Sequence, residues 1–372
     1  MRAVYEPWAE IHLGRLKANF KQVSQLVGAS KVLAVVKADG YGHGMVPVAR
    51  ALAEAGVFGF GVALLPEALA LRQAGLKQPV LHMGRFDPDD LPLYTRHGIT
   101  PSIQSLTDIQ LLADSHAAGG TQFTVHLKVD TGMGRLGVPY EEAVQALEDI
   151  KEQPGINLEG IFTHLATAGE ADQSYLSYQL VRFNQFIHLV RKIRLEVEYF
   201  HAANSSAIVK DSSSHFNMVR PGLLLYGVSP SPDVRPPFEP LPVMDLKAPL
   251  VLTRELKRGT PVGYGRDYRA PKKTRTAVLQ IGYANGLPIS LSGRGYAAME
   301  GRVYPLIGRI SMDLCNIDLA GDQPAVGTAA LLWGLADDPR LRVEHQAQRA
   351  GTIPYELLVR IGNRVGRRYV ED

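Results

Sequence analysis

The feature that most constrains this chain is a repeated alternation of short apolar runs with amphipathic stretches across residues 8–227. The apolar runs lack polar alternation, which is typical of parallel strands that are buried on both faces. They cover residues 32–36, 58–64, 79–83, 123–129, 158–164, 198–202 and 223–226. The stretches with helical periodicity cover residues 16–26, 46–55, 106–113, 140–150 and 178–193. Repeated strand–helix units predict an α/β fold, and their number favours a (β/α)8 TIM barrel over an open sheet.

The pattern changes after residue 230. Residues 229–242 are rich in proline, which is excluded from helix interiors and central strands, so we expect an extended linker there. Short strand-like segments separated by Gly, Asp and Pro follow, with two helices near residues 343–350 and 355–361. We therefore predict a barrel domain over residues 8–230, a linker over 231–242, and a β-rich C-terminal domain over 243–372 that residues 1–7 also join.

Composition limits the class of protein. The chain has 40 Lys and Arg against 37 Asp and Glu, a formal net charge of +3, which is too small to favour nucleic acid or an anionic membrane as a partner. The single cysteine, Cys315, permits no intrachain disulfide and favours a reducing compartment. Because no signal peptide or membrane-spanning apolar run is visible, we expect a cytoplasmic protein. One cysteine and 11 scattered histidines show no metal-ligand spacing, so no metal site is predicted.

The ends of the predicted barrel strands carry polar side chains, and barrel active sites lie at the carboxyl ends of the strands. The groups there are Lys37 with Tyr41, Lys128 with Arg135, His164, Asn204 with Ser205, and Arg220 with Gly222. Their positive charge suits an anionic cofactor and a carboxylate substrate. Lys37 follows two valines, and desolvation by apolar neighbours lowers the pKa of a lysine and makes its amine nucleophilic. A strand-end lysine that reaches to water is the alternative that the local sequence leaves open.

Nine segments carry a resemblance that spans nearly the whole chain. In order they are V-K-A-D-G-Y-G-H-G at 36–44, K-V-D-T-G-M-G-R-L-G at 128–137, T-H at 163–164, H-A-A-N-S at 201–205, V-R-P-G at 219–222, G-Y-G at 263–265, G-Y-A at 282–284, G-R-I-S-M-D at 308–313 and Y-E at 355–356. Together they resemble the bacterial alanine racemases, enzymes of fold type III that depend on pyridoxal 5'-phosphate (PLP). The resemblance implies interconversion of L-alanine and D-alanine, supply of D-alanine for peptidoglycan, and a homodimer whose active sites are built from both chains.

The resemblance also assigns a cofactor site. It implies that Lys37 holds PLP covalently and that Arg220 faces the pyridine nitrogen. The remaining cofactor contacts that it implies are Tyr41, His164, Asn204, Ser205, Gly222, Leu223 and Tyr355. A glycine at 222 makes physical sense there, because it lets backbone N–H groups approach an anion closely.

Catalytic and substrate-binding roles follow from the same resemblance. Racemisation needs a proton donor or acceptor on each face of Cα, and these are implied to be Lys37 and Tyr264 of the partner subunit, with His164 in contact with that tyrosine. Arg135 and the Met312 backbone N–H are implied to receive the substrate carboxylate. Lys128 matches a family lysine that can be carbamylated, and an ordinary ion pair with Asp130 or another carboxylate is the alternative.

Three positions depart from the family pattern. The family usually has Asp where this chain has Asn285, often Arg where it has Ile289, and commonly Asp where it has Gly169. These positions resemble parts of the substrate entrance, so their loss of charge puts substrate selectivity in question. A racemase of broader range or of serine is therefore the main alternative function, with a PLP decarboxylase or a non-catalytic PLP-binding protein less favoured.

Overall fold

Strands and helices alternate through the first part of the chain in the computed structural model, which describes residues 6–372. The elements are β1 (Trp8–His12), α1 (Leu13–Val27), β2 (Lys31–Val35), α2 (Lys37–Tyr41), α3 (Met45–Glu54), β3 (Gly59–Val62), α4 (Leu65–Gln73), β4 (Val80–His82), α5 (Leu91–His97), β5 (Thr100–Ile103), α6 (Leu106–Gly119), β6 (Phe123–Asp130), β7 (Val138–Pro139), α7 (Ala143–Glu152), β8 (Ile156–Phe162), α8 (Ser174–Lys192), β9 (Tyr199–His201), α9 (Ser205–Lys210) and β10 (Met218–Val219). The predicted strand–helix alternation is present.

Eight parallel strands form a nearly closed barrel. Their order is β10-β2-β3-β4-β5-β6-β8-β9, and the short strand β7 pairs with β6 outside this path. A parallel bridge between Asn204 and Arg220 joins the segments that follow β9 and β10. The strands are apolar on both faces because helices cover the outside and side chains fill the inside. The prediction of a (β/α)8 barrel is confirmed.

One predicted strand is wrong, and two barrel strands, β5 and the two-residue β10, were missed. Residues 223–226 form a buried turn, in which the Leu225 N–H donates to the Gly222 carbonyl at 2.9 Å and the Tyr226 N–H to the Leu223 carbonyl at 3.0 Å. The run is apolar because all four side chains are buried, and burial alone does not distinguish a strand from a turn. Strand β5, which contains Pro101 and Ser102, is too polar to stand out in the sequence.

The remaining chain forms a second, antiparallel β structure. Its elements are β11 (Met244–Leu256), β12 (Pro261–Val262), β13 (Tyr268–Arg269), β14 (Thr274–Leu279), β15 (Tyr296–Met299), β16 (Arg302–Ile307), β17 (Cys315–Asp318), β18 (Ala329–Trp333), α10 (Val343–Ala350), α11 (Pro354–Val359) and β19 (Gly366–Val370). The order β14-β17-β16-β15-β18-β11, with β11 pairing back to β14, closes six strands into a small barrel. Strand β11 is long enough, at 13 residues, to pair with β18 at one end and with β14 at the other. The predicted β-rich C-terminal domain is confirmed.

Strand β1 belongs to this second sheet. It pairs antiparallel with β11 and parallel with β19, whereas the predicted barrel range of 8–230 includes it. Its residues match a strand, and only long-range pairing decides which sheet receives it. The domain bounds themselves stay a prediction. Residues 1–7 were expected to join the second domain, and positions 1–5 lie outside the described residues.

The two parts meet at the loop that follows β2. The Arg367 guanidinium donates to the Gly42 carbonyl at 2.9 Å. A Cβ placed on Gly42 would lie 2.2 Å from the Leu358 carbonyl oxygen, and one on Gly44 would lie 2.0 Å from the Tyr369 hydroxyl. Because positions 42 and 44 are glycines, the second domain can pack directly against the loop that follows β2 and contains Lys37. Within the described part of the chain, no helix is long and apolar enough to cross a membrane.

Candidate active site

Lys37 stands two residues beyond β2 on a left-handed turn. Ala38, Asp39, Gly40 and Tyr41 have φ values of 53°, 53°, 62° and 54°. A left-handed conformation costs a non-glycine residue about 1–2 kcal/mol, so the surroundings must hold this turn. The Ala38 N–H donates to Glu67 Oε1 at 2.7 Å, and Asp39 Oδ1 accepts from the Met45 N–H at 2.8 Å. The turn therefore fixes the position of the Lys37 backbone at the carboxyl end of β2, from which the side chain extends.

Five basic side chains from four strand ends share one region: Lys37, Lys128, Arg135, His164 and Arg220. Burial, and next the charge of Arg135, lower the pKa of Lys37. Burial lowers the pKa of Lys128 to about 8, helped by Arg135 and Arg220. Burial and the surrounding cations lower the pKa of His164 to about 3. The region is electropositive, and His164 is neutral at physiological pH.

Arg220 is held in one orientation inside the barrel. It is 4% exposed, and its Nη2 donates to the Thr163 carbonyl at 2.6 Å and to the Ala202 carbonyl at 3.0 Å. Its Nη1 lies 2.9 Å from His201 Nδ1. Burial lowers the pKa of Arg220 to about 9, so the guanidinium is still charged at neutral pH.

A chain of hydrogen bonds leads from Arg220 through the barrel core. Because an arginine only donates, His201 Nδ1 accepts, and its Nε2–H donates to His126 Nδ1 at 2.9 Å. His126 Nε2–H then donates to Glu159 Oε2 at 3.1 Å. No role was predicted for these three residues from the sequence. The sequence does carry one signal for them: His126 lies two positions before Lys128 in β6, and side chains two apart share one face of a strand. A polar residue at that position therefore faces the same side of the barrel as Lys128.

A polar corner lies beside Tyr41. Ser205 Oγ accepts from the Gly222 N–H at 2.9 Å and from the Leu224 N–H at 3.3 Å, so its own hydrogen is free to donate elsewhere. A Cβ on Gly222 would lie 2.4 Å from the Tyr41 hydroxyl. The Tyr355 ring is 6.0 Å from that of Tyr41, and burial raises the pKa of Tyr355 to about 12. Three hydroxyl-bearing side chains, Tyr41, Ser205 and Tyr355, therefore surround a position that the absence of a side chain at Gly222 keeps open.

Asn204, next to this corner, caps a helix. Its side-chain oxygen accepts from the Ser206 N–H at 3.1 Å and the Ala207 N–H at 3.0 Å, which caps α9. Its role as a cofactor contact stays a prediction. The buried N–H of Leu223, the other predicted backbone contact, lies within the turn that follows Gly222.

Asp130 shapes the loop that carries Arg135. Its carboxylate accepts from the N–H groups of Gly132 at 2.9 Å, Met133 at 2.7 Å and Gly134 at 2.8 Å. Within the described residues Lys128 forms no ion pair, so the alternative of a pair with Asp130 is not observed. Lys128 is 5% exposed, and its Nζ lies 5.8 Å from the centre of the Phe162 ring. A buried cation beside Arg135 is thus left without a carboxylate.

Tyr264 and Met312 lie on exposed loops of the C-terminal domain. Tyr264 lies on the hairpin between β12 and β13 and is 70% exposed; Met312 is 52% exposed. The two loops are joined, because Arg309 Nε donates to Asp267 Oδ2 at 2.5 Å. Neither side chain forms a hydrogen bond among the described residues. They lie on one outward face of the C-terminal domain.

The three departures from the family pattern have different surroundings. Asn285 is buried, and its Oδ1 accepts from the Gly282 N–H at 3.1 Å, a bond that an aspartate would also accept. Ile289 is exposed, and a Cβ on Gly169 would meet its nearest neighbour at 3.4 Å, an ordinary contact. The missing charges at 169 and 289 are therefore not forced by crowding.

Family models match both halves of the chain. The model of the alanine racemase N-terminal domain matches residues 11–230, and that of the alanine racemase C-terminal domain matches residues 243–369. The sequence is 38% identical over 367 residues to an alanine racemase of Desulforamulus reducens, with 98% of each protein covered.

Solved structures of the same kind superpose over nearly the full length. An alanine racemase from the D-cycloserine-producing Streptomyces lavendulae gives a TM-score of 0.93 at 34% identity, covering 99% of this chain and 98% of that one. An alanine racemase from Bartonella henselae with covalently bound pyridoxal phosphate gives a TM-score of 0.89 at 30% identity, covering 98% of this chain and 99% of that one.

Proposed function

The chain belongs to the alanine racemase family, and from this we propose that it interconverts L-alanine and D-alanine at the strand-end site described above. The family depends on PLP, and one structural relative was solved with that cofactor covalently bound. The observation that carries the proposal is the meeting of Lys37, Arg135, His164 and Arg220 at the barrel mouth, beside an open polar corner.

The residues of the chain fit PLP. The hydroxyl groups of Tyr41, Ser205 and Tyr355 suit a phosphate, since no side chain at 222 occupies the corner. The backbone N–H groups at Gly222 and Leu223 are proposed to join them, the Gly222 N–H by exchanging its bond to Ser205 Oγ for one to the phosphate. The lowered pKa of Lys37 makes its amine available for a covalent bond to an aldehyde. When bound, PLP supplies that aldehyde and a conjugated ring that withdraws electrons from the substrate Cα.

Arg220 sets the electrostatics of the ring position. Held by two carbonyls and His201, it cannot rotate away or give up its proton at neutral pH. A cation that donates a hydrogen bond keeps the ring nitrogen unprotonated and its electron withdrawal weak, which favours reprotonation at Cα over side reactions. Arg220→Glu is expected to raise pyruvate formed by transamination per turnover; an unchanged ratio of pyruvate to racemised alanine would contradict this role.

Lys37 and Tyr264 are the two proposed bases. Lys37 exchanges a proton with one face of Cα, as the base for D-alanine. Tyr264 of the partner subunit serves the other face, as the base for L-alanine; its 70% exposure leaves the side chain open to another copy of the chain. The neutral His164 forms one hydrogen bond with the hydroxyl of Tyr264 of the partner subunit, as donor or as acceptor, and so orients it.

Arg135 and the Met312 N–H of the partner subunit are proposed to bind the substrate carboxylate. Lys128 is proposed to be carbamylated, because a pKa of about 8 leaves part of its amine neutral and able to add carbon dioxide. The carbamate would replace a repulsive cation beside Arg135 by an anion. Intact-mass measurement in bicarbonate is expected to show the mass of one added carbon dioxide, absent in Lys128→Ala.

These assignments require a homodimer, since Tyr264 and Met312 complete the site of another copy. We propose that it acts in the cytoplasm, consistent with a single cysteine, and that its D-alanine serves peptidoglycan. Serine is the second candidate substrate, because a hydroxyl is poorly rejected by size alone and the positions Gly169, Asn285 and Ile289 alter the predicted entrance.

Chiral chromatography after incubation of the PLP-loaded protein with L-alanine or L-serine tests the function. We expect D-alanine to form much faster than D-serine, with no product from Lys37→Ala. Lys31→Ala, at the exposed opposite end of β2, is the matched control and is expected to remain active. Inversion of serine alone would favour the second candidate, and no inversion of either would overturn the proposal.

A further inference from the structure

His43 lies under the turn that presents Lys37 and takes no part in the function proposed above. It is 0% exposed. Its Nδ1 is 2.9 Å from the Tyr41 carbonyl oxygen and 3.0 Å from the Gly40 carbonyl oxygen. Its ring packs on Tyr226, with centroids 4.6 Å apart. A buried histidine therefore contacts the backbone of two of the four left-handed residues.

The protonation state of His43 follows from its surroundings. Burial lowers its pKa to about 4, against the opposing effect of the two carbonyls, so the ring is neutral at physiological pH. A neutral imidazole carries one N–H. Because both neighbours of Nδ1 are carbonyl oxygens, which only accept, that hydrogen is on Nδ1 and is shared between them.

Other partners hold other groups of the same segment. Glu67 binds the Ala38 N–H, Asp39 binds the Met45 N–H, and Arg367 binds the Gly42 carbonyl. The side chain of His43 is the hydrogen-bond donor to the Tyr41 carbonyl, and Tyr41 lines the polar corner. The bond thus links the anchor lysine at one end of the turn to the corner at the other.

We propose that His43 is a positioning residue, whose Nδ1–H fixes the left-handed turn so that Lys37 and Tyr41 engage the cofactor together. The proposal rests on the function proposed above, in which Lys37 bonds to PLP. A histidine that only fills space acts through its volume, whereas a positioning residue acts through its Nδ1–H, so the two roles differ in what they require of the side chain.

Asparagine and glutamine separate these roles. The amide nitrogen of Asn reaches the position of Nδ1, whereas that of Gln reaches the position of Nε2, away from the two carbonyls. His43→Asn should preserve the bond and His43→Gln should lose it, although both replace a ring by an amide. His43→Leu removes the donor and keeps an apolar side chain.

The test measures PLP dissociation constants, the visible absorption of lysine-bound cofactor and melting temperatures for the wild type and all three variants. We expect Asn within about threefold of the wild-type affinity, and Gln and Leu weaker by about tenfold or more, the usual effect of a lost buried hydrogen bond. Apoenzyme melting temperatures should not follow that order. Equal affinity in Asn and Gln would overturn the proposal, as would equally weak binding by all three.

A second measurement covers the case in which Gln or Leu does not fold. Protein labelled with 15N-histidine reports which ring nitrogen carries hydrogen, and the signal missing from His43→Asn identifies His43. Hydrogen on Nδ1 supports the proposal, and hydrogen on Nε2 overturns it. A wild type that neither binds PLP nor racemises alanine would instead refute the proposed function, which keeps the two failures distinct.

Discussion

At the residue scale, side chains of the same nominal charge take different states within one site. Arg220 is charged and fixed, burial lowers the pKa of Lys128 to about 8, and burial lowers the pKa of His164 to about 3, so that its ring is neutral at physiological pH. The sequence predicted which residues meet, since each follows a strand that ends at the same face. It did not predict their protonation, because that depends on burial and on cations contributed by distant segments.

Tyr264→Phe tests the second base at this scale. Phenylalanine keeps the ring and removes the hydroxyl, so we expect the fold to be unchanged and the turnover number to fall by about a hundredfold to ten-thousandfold, the usual contribution of a general acid–base group. In deuterated water, deuterium should still enter Cα from the Lys37 face. Tyr178→Phe, an exposed tyrosine on the outer helix α8 of the barrel, is the control and should keep its activity. Racemisation by Tyr264→Phe at the wild-type rate would exclude the role.

At the element scale, periodicity predicted most strands and helices, and local backbone geometry was the part it could not give. The sequence K-A-D-G-Y does not mark four successive left-handed residues, because only Gly40 and, to a smaller degree, Asp39 favour that conformation. The contacts that hold the turn come from His43, just beyond it, and from Glu67 and Arg367, which are distant in sequence. The same limit explains residues 223–226, whose apolar character reports burial and not a strand.

Gly42→Ala tests how tightly the C-terminal domain holds the turn. The new Cβ would lie 2.2 Å from the Leu358 carbonyl oxygen at a φ of 80°. Gly56→Ala is the matched control, since its φ is 88° with nothing within 4 Å. We expect Gly56→Ala to cost about 1 kcal/mol of unfolding free energy, and Gly42→Ala about 2–4 kcal/mol because overpacking adds to strain, together with weaker PLP binding. Urea denaturation measures both; equal losses would contradict close contact at Gly42.

At the scale of the whole molecule, the two domains are joined by a buried polar cluster at the end of β1. His12 Nδ1 lies 2.6 Å from Asp372 Oδ2, and its Nε2 lies 3.3 Å from Asp245 Oδ2; Arg15 Nη1 is 3.3 Å from Asp245 Oδ1. Burial lowers the pKa of His12, but its bonds to Asp245 and Asp372 outweigh this and raise it above 6.5. Burial raises the pKa of Asp245, and its bonds to His12 and Leu335 reverse the effect and lower it.

The pH dependence of stability follows from these directions. The pKa of His12 is raised in the folded protein, so its contribution to stability is fully present below pH 6.5 and is lost as pH rises through the folded-state pKa. The pKa of Asp245 is lowered, so its contribution is lost only in acid, as pH falls through its folded-state pKa. The stability lost in His12→Gln should therefore be largest near pH 5–6, on the order of 1–2 kcal/mol, and smaller at pH 9. Melting curves across pH test this, with the exposed His188→Gln as control. A deficit that grows with pH would contradict the assignment.

The central claim is that each active site takes Lys37 from one chain and Tyr264 from another, and mixing two inactive variants tests it most directly. Lys37→Ala and Tyr264→Phe are unfolded together, refolded as a mixture with PLP, and assayed for racemisation of L-alanine. Random pairing makes half of the dimers mixed, and one of the two sites in each mixed dimer is then intact, so activity should return to about a quarter of the wild-type value. Activity no higher than that of the separate variants, with mixed dimers demonstrated by mass spectrometry, would contradict the account.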